Sequence, residues 1–301
     1  MTGQEKEKLL FSSSENKMSR KRVVVAEPHG YCGGVRRAIH LVQEKAKEQP
    51  KKTFLLGEIV HNQHVVDWLK EEYGVRTVHS LEEIPQGATV VIRAHGAPPS
   101  IYREAQARGL KIVDATCPLV SQVHQKVRSL ARAGKKILYL ASKKTHDEAV
   151  GVVGEAPEAV RLMALKEKDE VKIVAPEKTV VLTQTTLSTL EIKERLEGLK
   201  REYPALTIEL HICPATAQRQ EAVIELAKEV GCVIIVGSAT SSNSNRLKEV
   251  AETSGAKSFL VDTADELNPN WFEGTEKVAV SSGASTPERL LEEVIEKIKS
   301  F

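Results

Sequence analysis

The sequence of 301 residues lacks long hydrophobic runs, an excess of charge of one sign and any Cys-x-x-Cys pair. Apolar stretches such as 233–236 are far shorter than the roughly 20 residues of a membrane-spanning helix. Its 43 basic and 41 acidic residues are interleaved, so no basic stripe is present. We therefore expect neither a membrane protein nor a nucleic-acid partner.

Two nucleotide-binding signatures and a secretion signal are also missing. The chain has no Gly-x-x-x-x-Gly-Lys-[Ser/Thr] motif and no Gly-x-Gly-x-x-Gly motif. Residues 1–21 lack the apolar core of a signal peptide, and their acids argue against a transit peptide. We predict a disordered tail at 1–21, a cytoplasmic location and thiols that stay free or bind a metal.

An apolar run, a cysteine and a helix-like run recur three times along the chain. The cysteines are Cys32, Cys117 and Cys213. The last two each precede a proline, which predicts that each sulfur lies at a helix N-terminus, where the dipole favours thiolate. Cys32 is followed by two glycines, which permit close approach of the backbone to a bulky ligand. The repetition indicates one centre bound by three thiolates.

Such a centre could hold either a zinc ion or an iron–sulfur cluster. Structural zinc usually has four ligands with short local spacing, which this chain lacks. Three thiolates from distant points suit an iron–sulfur cluster with one iron left open for substrate. The fourth cysteine, Cys232, lies within an apolar strand-like run, and we interpret it as a core residue.

Strand and helix signals alternate along the whole chain. Continuous β-branched runs between helical segments are typical of parallel sheets covered on both faces. We predict an α/β protein of three small units, 22–115, 116–211 and 212–301. In such sheets ligands bind beyond the carboxyl ends of the strands.

Polar side chains follow the ends of the predicted strands. Individually, a hydroxyl there is as typical of a helix N-cap as of a ligand contact, and a single histidine is more often structural. Together they suit the oxygens of a small phosphorylated molecule. The residues are His61, His95, His146, Thr185, Ser241, Ser242, Asn243 and Ser285.

Glu148 is the acid of this set. Burial would raise its pKa, which suits proton delivery. The alternative is an acid at a helix N-terminus that the helix dipole stabilises.

Taken together, the motifs of this chain resemble those of a known family, the 4-hydroxy-3-methylbut-2-enyl diphosphate reductases of the non-mevalonate isoprenoid pathway. The resemblance covers the chain from about Val23 to the C-terminus. The motifs occur in this order: Pro28-x-Gly-Tyr-Cys32-Gly-Gly-Val, Val60-His61-Asn62, Ala94-His95-Gly96, Asp114-Ala-Thr-Cys117-Pro-Leu-Val, His146-x-Glu148, Thr183-Gln-Thr-Thr-Leu-Ser188, Ile212-Cys213-x-Ala-Thr, Gly237-Ser-x-x-Ser-Ser-Asn-Ser-Asn-Arg-Leu247 and Gly283-Ala-Ser285.

The resemblance implies a pseudo-threefold trefoil of α/β domains around a central 4Fe–4S cluster with Cys32, Cys117 and Cys213 as ligands. It further implies that His146 binds substrate and relays protons, that Thr185 hydrogen-bonds the substrate hydroxyl and that Glu148 supplies the proton. The implied diphosphate contacts are His61, His95, Ser241, Ser242, Asn243 and Ser285.

The implied reaction is a two-electron reductive removal of that hydroxyl at the open iron, giving isopentenyl and dimethylallyl diphosphates. A ferredoxin- or flavodoxin-type carrier would supply the electrons. One alternative is a non-redox iron–sulfur dehydratase acting on a small phosphorylated alcohol, which would need no reductant. Another is a metal or phosphate sensor, for which no output module is evident.

Three departures from the family pattern are visible. Asp147 stands where proline is usual between the histidine and the glutamate. Lys143-Lys144 replaces a small, glycine-containing stretch, and Ala217-Gln218 stands where Thr-Asn is common. The first two flank Glu148, so the local loop geometry is the part of the site that the resemblance predicts least.

Overall fold

A computed structural model describes residues 21–165 and 172–301. The predicted disordered tail, 1–21, therefore lies outside the described residues except for Lys21. The Lys21 ammonium donates to the carbonyl oxygens of Phe272 and Thr275, at 3.0 and 2.8 Å. Within the described ranges, no helix combines the length and the apolar character needed to cross a membrane.

Strands and helices alternate, as predicted, in an α/β arrangement. The strands are β1 (Arg22–Val25), β2 (Thr53–Leu56), β3 (Arg76–Val78), β4 (Thr89–Ile92), β5 (Lys111–Asp114), β6 (Lys136–Ala141), β7 (Val160–Ala164), β8 (Thr179–Thr183), β9 (Thr207–Glu209), β10 (Cys232–Val236), β11 (Lys257–Val261) and β12 (Lys277–Ser282). The α-helices are α1 (Gly33–Glu48), α2 (Gln63–Tyr73), α3 (Pro99–Ala107), α4 (Pro118–Arg132), α5 (Asp147–Glu155), α6 (Thr189–Glu202), α7 (Pro214–Glu229), α8 (Ser242–Thr253) and α9 (Glu288–Lys299).

The described strands form three parallel sheets of four strands each, which confirms the predicted fold class. Their orders are β3-β2-β4-β5, β7-β6-β8-β9 and β1-β12-β10-β11. Each sheet carries helices on both faces, because alternate side chains of its strands are buried on opposite sides. In β6, for example, Ile137 and Tyr139 pack on the side of α4 and α5, whereas Leu138 and Leu140 pack on the side of α6.

The first strand departs from the expected unit 22–115. β1 pairs in parallel with β12, with Val23 opposite Val278, and so belongs to the sheet of the C-terminal third. Val23 and Val25 pack there against the core that includes α9. Helix α1, by contrast, packs on the sheet of β2 to β5. The chain therefore passes from one sheet to another in the loop that contains Cys32.

The helices that follow the second and third cysteines begin as predicted. Pro118 and Pro214 are the first residues of α4 and α7. In α7 the apolar helical pattern itself begins only near Arg219. The first turns of α7 bury Thr216 and Arg219 rather than apolar side chains, so the apolar pattern is absent where the helix starts.

Candidate active site

One cavity is lined by loops from all three sheets. Each loop follows the carboxyl end of a strand, which is where ligands bind in parallel α/β sheets. The cavity brings together every side chain named in the sequence analysis as a site candidate: Cys32, His61, His95, Cys117, His146, Glu148, Thr185, Cys213, Ser241, Ser242, Asn243 and Ser285.

The three cysteines of the cavity are free thiols, each at the start of a helix. A Cβ atom built on Gly34 would lie 2.6 Å from the sulfur of Cys117 and 3.9 Å from that of Cys32, so only glycine allows this approach. The backbone N–H of Cys213 donates to the carbonyl of Thr185 at 2.9 Å, which fixes the third cysteine beside the loop after β8. Cys232 lies in the core of the third sheet, as expected.

The helix dipole was expected to favour the thiolate form of Cys117, but the structure favours the thiol. Burial raises the pKa of the Cys117 thiol, and the neighbouring Cys32 and Cys213 raise it further. Desolvation thus outweighs the helix N-terminus. Three soft sulfur donors converging in a partly buried site suit a cationic centre that neutralises them, so the residues fit an iron–sulfur group.

Three histidines form a second wall of the cavity. The rings of His61 and His95 stack with centroids 4.1 Å apart, and His146 stands edge-on to both at 5.6 and 5.7 Å. Burial, reinforced by the neighbouring rings and Arg93, holds the pKa of His95 well below its usual value. Burial likewise lowers the pKa of His146 to about 3. His95 and His146 are therefore neutral at pH 7.

The tautomer of His146 follows from its position at the start of α5. Its Nδ1 accepts the backbone N–H of Glu148 at 3.2 Å, so Nδ1 carries no proton. The neutral ring then carries its proton on Nε2. His146 can donate a hydrogen bond from that nitrogen.

Glu148 is 1% exposed and is held by three hydrogen bonds. Its Oε1 accepts from the Tyr139 hydroxyl at 2.8 Å and from the Thr185 N–H at 2.9 Å. Its Oε2 accepts from the Thr185 hydroxyl at 2.7 Å. Burial raises the pKa of Glu148, and these three bonds oppose that rise without cancelling it. The carboxyl is thus biased towards its protonated form.

The remaining polar loops supply hydrogen-bonding groups around the start of α8. Ser241 caps that helix by accepting the N–H of Ser244 at 3.3 Å. The hydroxyl of Ser242 accepts from Thr186 at 3.1 Å. Asn243 is 4% exposed, yet neither atom of its amide has a hydrogen-bond partner among the described residues. A buried amide without partners is costly unless a ligand meets it.

Asp147 forms the first residue of α5, where a carboxylate is favoured by the helix dipole. Its Oδ2 lies 2.7 Å from Nη1 of Arg93 and 3.6 Å from Nε2 of His61. His61, His95 and Asp147 are close enough to share a cation, but Arg93 already holds the carboxylate. The acid therefore places a negative charge beside the histidine wall.

The sequence matches the family described as LytB protein over residues 23–299. The chain belongs to the LytB family. It is similar to proteins named 4-hydroxy-3-methylbut-2-enyl diphosphate reductase from Methylibium petroleiphilum (41% identity) and Mycolicibacterium paratuberculosis (45%). In both cases the similarity covers 93% of this chain and 85% of the relative.

Solved structures of LytB-type reductases have the same fold. The E-1-hydroxy-2-methyl-but-2-enyl-4-diphosphate reductase from Plasmodium falciparum superposes with a TM-score of 0.88 at 31% identity, covering 92% of this chain and 87% of that one. A second structure, of an enzyme described as the terminal enzyme of the non-mevalonate pathway, gives 0.64 at 34% identity over 93% and 100% of the two chains. LytB-family reductases are iron–sulfur enzymes, which the cysteine arrangement suits.

Sequence reasoning missed two side chains that shape this LytB site. Tyr139 bonds to Glu148, and Arg93 holds Asp147. A tyrosine within an otherwise apolar strand is a usable signal, because a buried phenol needs a partner. Arg93 follows a buried strand and precedes His95, but no spacing rule connects it to Asp147.

Proposed function

We propose that this chain is a 4-hydroxy-3-methylbut-2-enyl diphosphate reductase that removes the substrate hydroxyl by two-electron reduction. The products are isopentenyl and dimethylallyl diphosphates. The observation that carries the proposal is the convergence of Cys32, Cys117 and Cys213 with a buried, protonation-biased Glu148 on one cavity. The relatives of that name, 41–45% identical over most of the chain, support it.

In this proposal Cys32, Cys117 and Cys213 hold one 4Fe–4S cluster. Three protein ligands for four irons leave one iron open to the substrate. When bound, the cluster supplies Lewis acidity and electrons. The chain keeps the backbone close to the sulfurs at Gly34 and surrounds them with buried residues. Because all four cysteines are free, we place the protein in the reducing cytoplasm.

We assign the diphosphate to the part of the cavity that is lined by hydrogen-bond donors, away from the sulfurs. Neutral His95 can donate an N–H without carrying charge, and the unpartnered amide of Asn243 can donate as well. The start of α8 adds backbone N–H groups and a favourable dipole for an anion. The full set of proposed contacts is His61, His95, Ser241, Ser242, Asn243 and Ser285.

Proton delivery is assigned to Glu148, Thr185 and His146. The Thr185 hydroxyl already bonds to the Glu148 carboxyl, so it can pass a proton from that carboxyl to the substrate hydroxyl. The C–O bond then breaks and the oxygen leaves as water. Two electrons from a ferredoxin- or flavodoxin-type carrier and a second proton on carbon complete the balance. The Nε2–H of His146 would orient the substrate beside this pair.

The competing function is a non-redox dehydratase of the same cofactor class. The test is an anaerobic assay of cluster-loaded protein with the hydroxylated diphosphate, with and without a low-potential donor. We expect both products only when the donor is present. Loss of water without any reductant would favour the dehydratase, and absence of products from fully loaded protein would contradict both.

A further inference from the structure

Arg219 is a deeply buried arginine beside the cysteines. It lies on α7, is 2% exposed and has the largest fully buried side chain among the described residues. Among those residues, no carboxylate lies within ion-pair distance of its guanidinium. The other deeply buried arginine, Arg246, shows the usual solution, since Glu191 and Glu249 both pair with it. Arg219 therefore needs another source of compensating charge.

Its hydrogen bonds connect the loops of two cysteines. Nη2 donates to the carbonyl of Gly30 at 2.6 Å, two residues before Cys32. Nη1 donates to the carbonyl of Ala215 at 3.4 Å, two residues after Cys213. Nε has no hydrogen-bond partner among the described residues. These contacts place the guanidinium beside two of the three cysteine loops, which follow strands of different sheets.

The electrostatic surroundings agree with this placement. Burial lowers the pKa of Arg219, while the sulfurs of Cys32 and Cys213 are the neighbours that raise it. Arginine nevertheless stays protonated in proteins. Among residues 21–165 and 172–301, the negative charge available to Arg219 is thus that of the cysteine centre itself.

We propose that Arg219 is the counter-cation of the three-cysteine centre and makes that centre easier to reduce. Adding an electron to a centre already bound by thiolates increases its negative charge, and a desolvated cation alongside stabilises the reduced form. Arg219 acts here as a positioning and tuning residue, not through contact with substrate. The inference rests on the proposed iron–sulfur function, but its readout is a redox potential and needs no turnover.

The test is an anaerobic redox titration of the cluster-loaded protein, followed by electron paramagnetic resonance. The variants are Arg219→Gln, which removes the charge but keeps an amide donor, and Arg219→Lys, which keeps the charge. The matched control is Arg37→Gln, because exposed Arg37 also donates to a carbonyl beside a cysteine, that of Thr116 at 3.1 Å. Solvent screens the charge of Arg37.

We expect Arg219→Gln to make the one-electron reduction equilibrium at least about tenfold less favourable, a shift of about 59 mV to more negative potential. Arg219→Lys should recover most of that shift, and Arg37→Gln should change the equilibrium less than about twofold. An unchanged potential in loaded Arg219→Gln would overturn the inference. If Arg219→Gln folds but loses the cluster, retention in Arg219→Lys supports the charge role, whereas loss in both variants contradicts it.

The two proposals fail in different ways. A wild-type protein that assembles no cluster would overturn both. A loaded wild-type protein that reduces no substrate would overturn the proposed function alone, while the potential shift of Arg219→Gln would still stand.

Discussion

Thr185 is joined to Glu148 by two hydrogen bonds, one from its backbone N–H at 2.9 Å and one from its hydroxyl at 2.7 Å. The two bonds reach different oxygens of the same carboxyl group. Thr185 also lines the cavity, and its carbonyl accepts the N–H of Cys213. One residue thus connects the proposed proton donor with a proposed cluster ligand.

Glu148→Gln should lose turnover but keep substrate affinity. Glutamine keeps the shape and can still accept from Thr185, but it has no proton to deliver. We expect kcat to fall by at least about a hundredfold with KM within about threefold of wild type. Steady-state kinetics with a chemical reductant measures this. The control is Glu158→Gln, which changes an exposed acid just after α5 and should keep wild-type kcat. Wild-type turnover by Glu148→Gln would rule out the proton role.

Tyr139→Phe should move the pH dependence of turnover. The Tyr139 hydroxyl bonds to Oε1 of Glu148 and favours the carboxylate, which lowers the pKa of Glu148. Without that bond the carboxylate loses a stabilising donor, so the pKa of Glu148 rises further. Because a proton donor is active below its pKa, the alkaline limb of the kcat profile should shift to higher pH.

The control for this shift is Tyr102→Phe. The Tyr102 hydroxyl also bonds to a carboxylate, that of Asp114 at 3.1 Å, but Asp114 is not among the residues that line the active-site cavity. Its profile should match wild type. An alkaline limb that stays in place in Tyr139→Phe, or moves to lower pH, would show that Glu148 does not set it.

Asp147→Asn should strengthen substrate binding. The Asp147 carboxylate lies 3.6 Å from His61, where it would repel a diphosphate, and it occupies Arg93. Removing the negative charge should lower KM, because it removes the repulsion of the diphosphate. We expect a decrease of only about three- to tenfold at low salt, because Arg93 already offsets part of that repulsion. The effect should shrink as ionic strength rises. Asp67→Asn, which changes an exposed acid of α2, is the control and should leave KM unchanged. A higher KM in Asp147→Asn would contradict the argument.

The repeated strand–cysteine–helix pattern was enough to predict three parallel sheets and a common cavity. Each of those features depends on local signals, such as Pro118 at a helix start, which can be recognised from neighbouring residues without knowing the distant contacts. The polar strand ends already indicated residues such as Ser285, the motif resemblance gave them a role in diphosphate binding, and the structure places Ser285 on the cavity wall.

Features that depend on distant pairing could not be predicted. β1 joins a sheet whose neighbouring strand begins at Lys277, and nothing in Arg22–Val25 specifies that partner. Only Pro214 indicates the start of α7, because the first turns of that helix bury polar side chains, and one of them, Arg219, donates to the carbonyl of Gly30 in another loop. The pairing of Asp147 with Arg93 depends in the same way on the meeting of two sheets.

The convergence of Cys32, Cys117 and Cys213 on one cluster is tested most directly by iron and sulfide analysis with electron paramagnetic resonance of the anaerobically reduced protein. Single serine variants of these cysteines are compared with Cys232→Ala, whose side chain lies in the core. We expect the iron and sulfide content and the spectrum of a 4Fe–4S cluster in wild type and in Cys232→Ala, and loss of cluster in each of the other three. An intact cluster in any of those three variants, or its loss only in Cys232→Ala, would contradict the account.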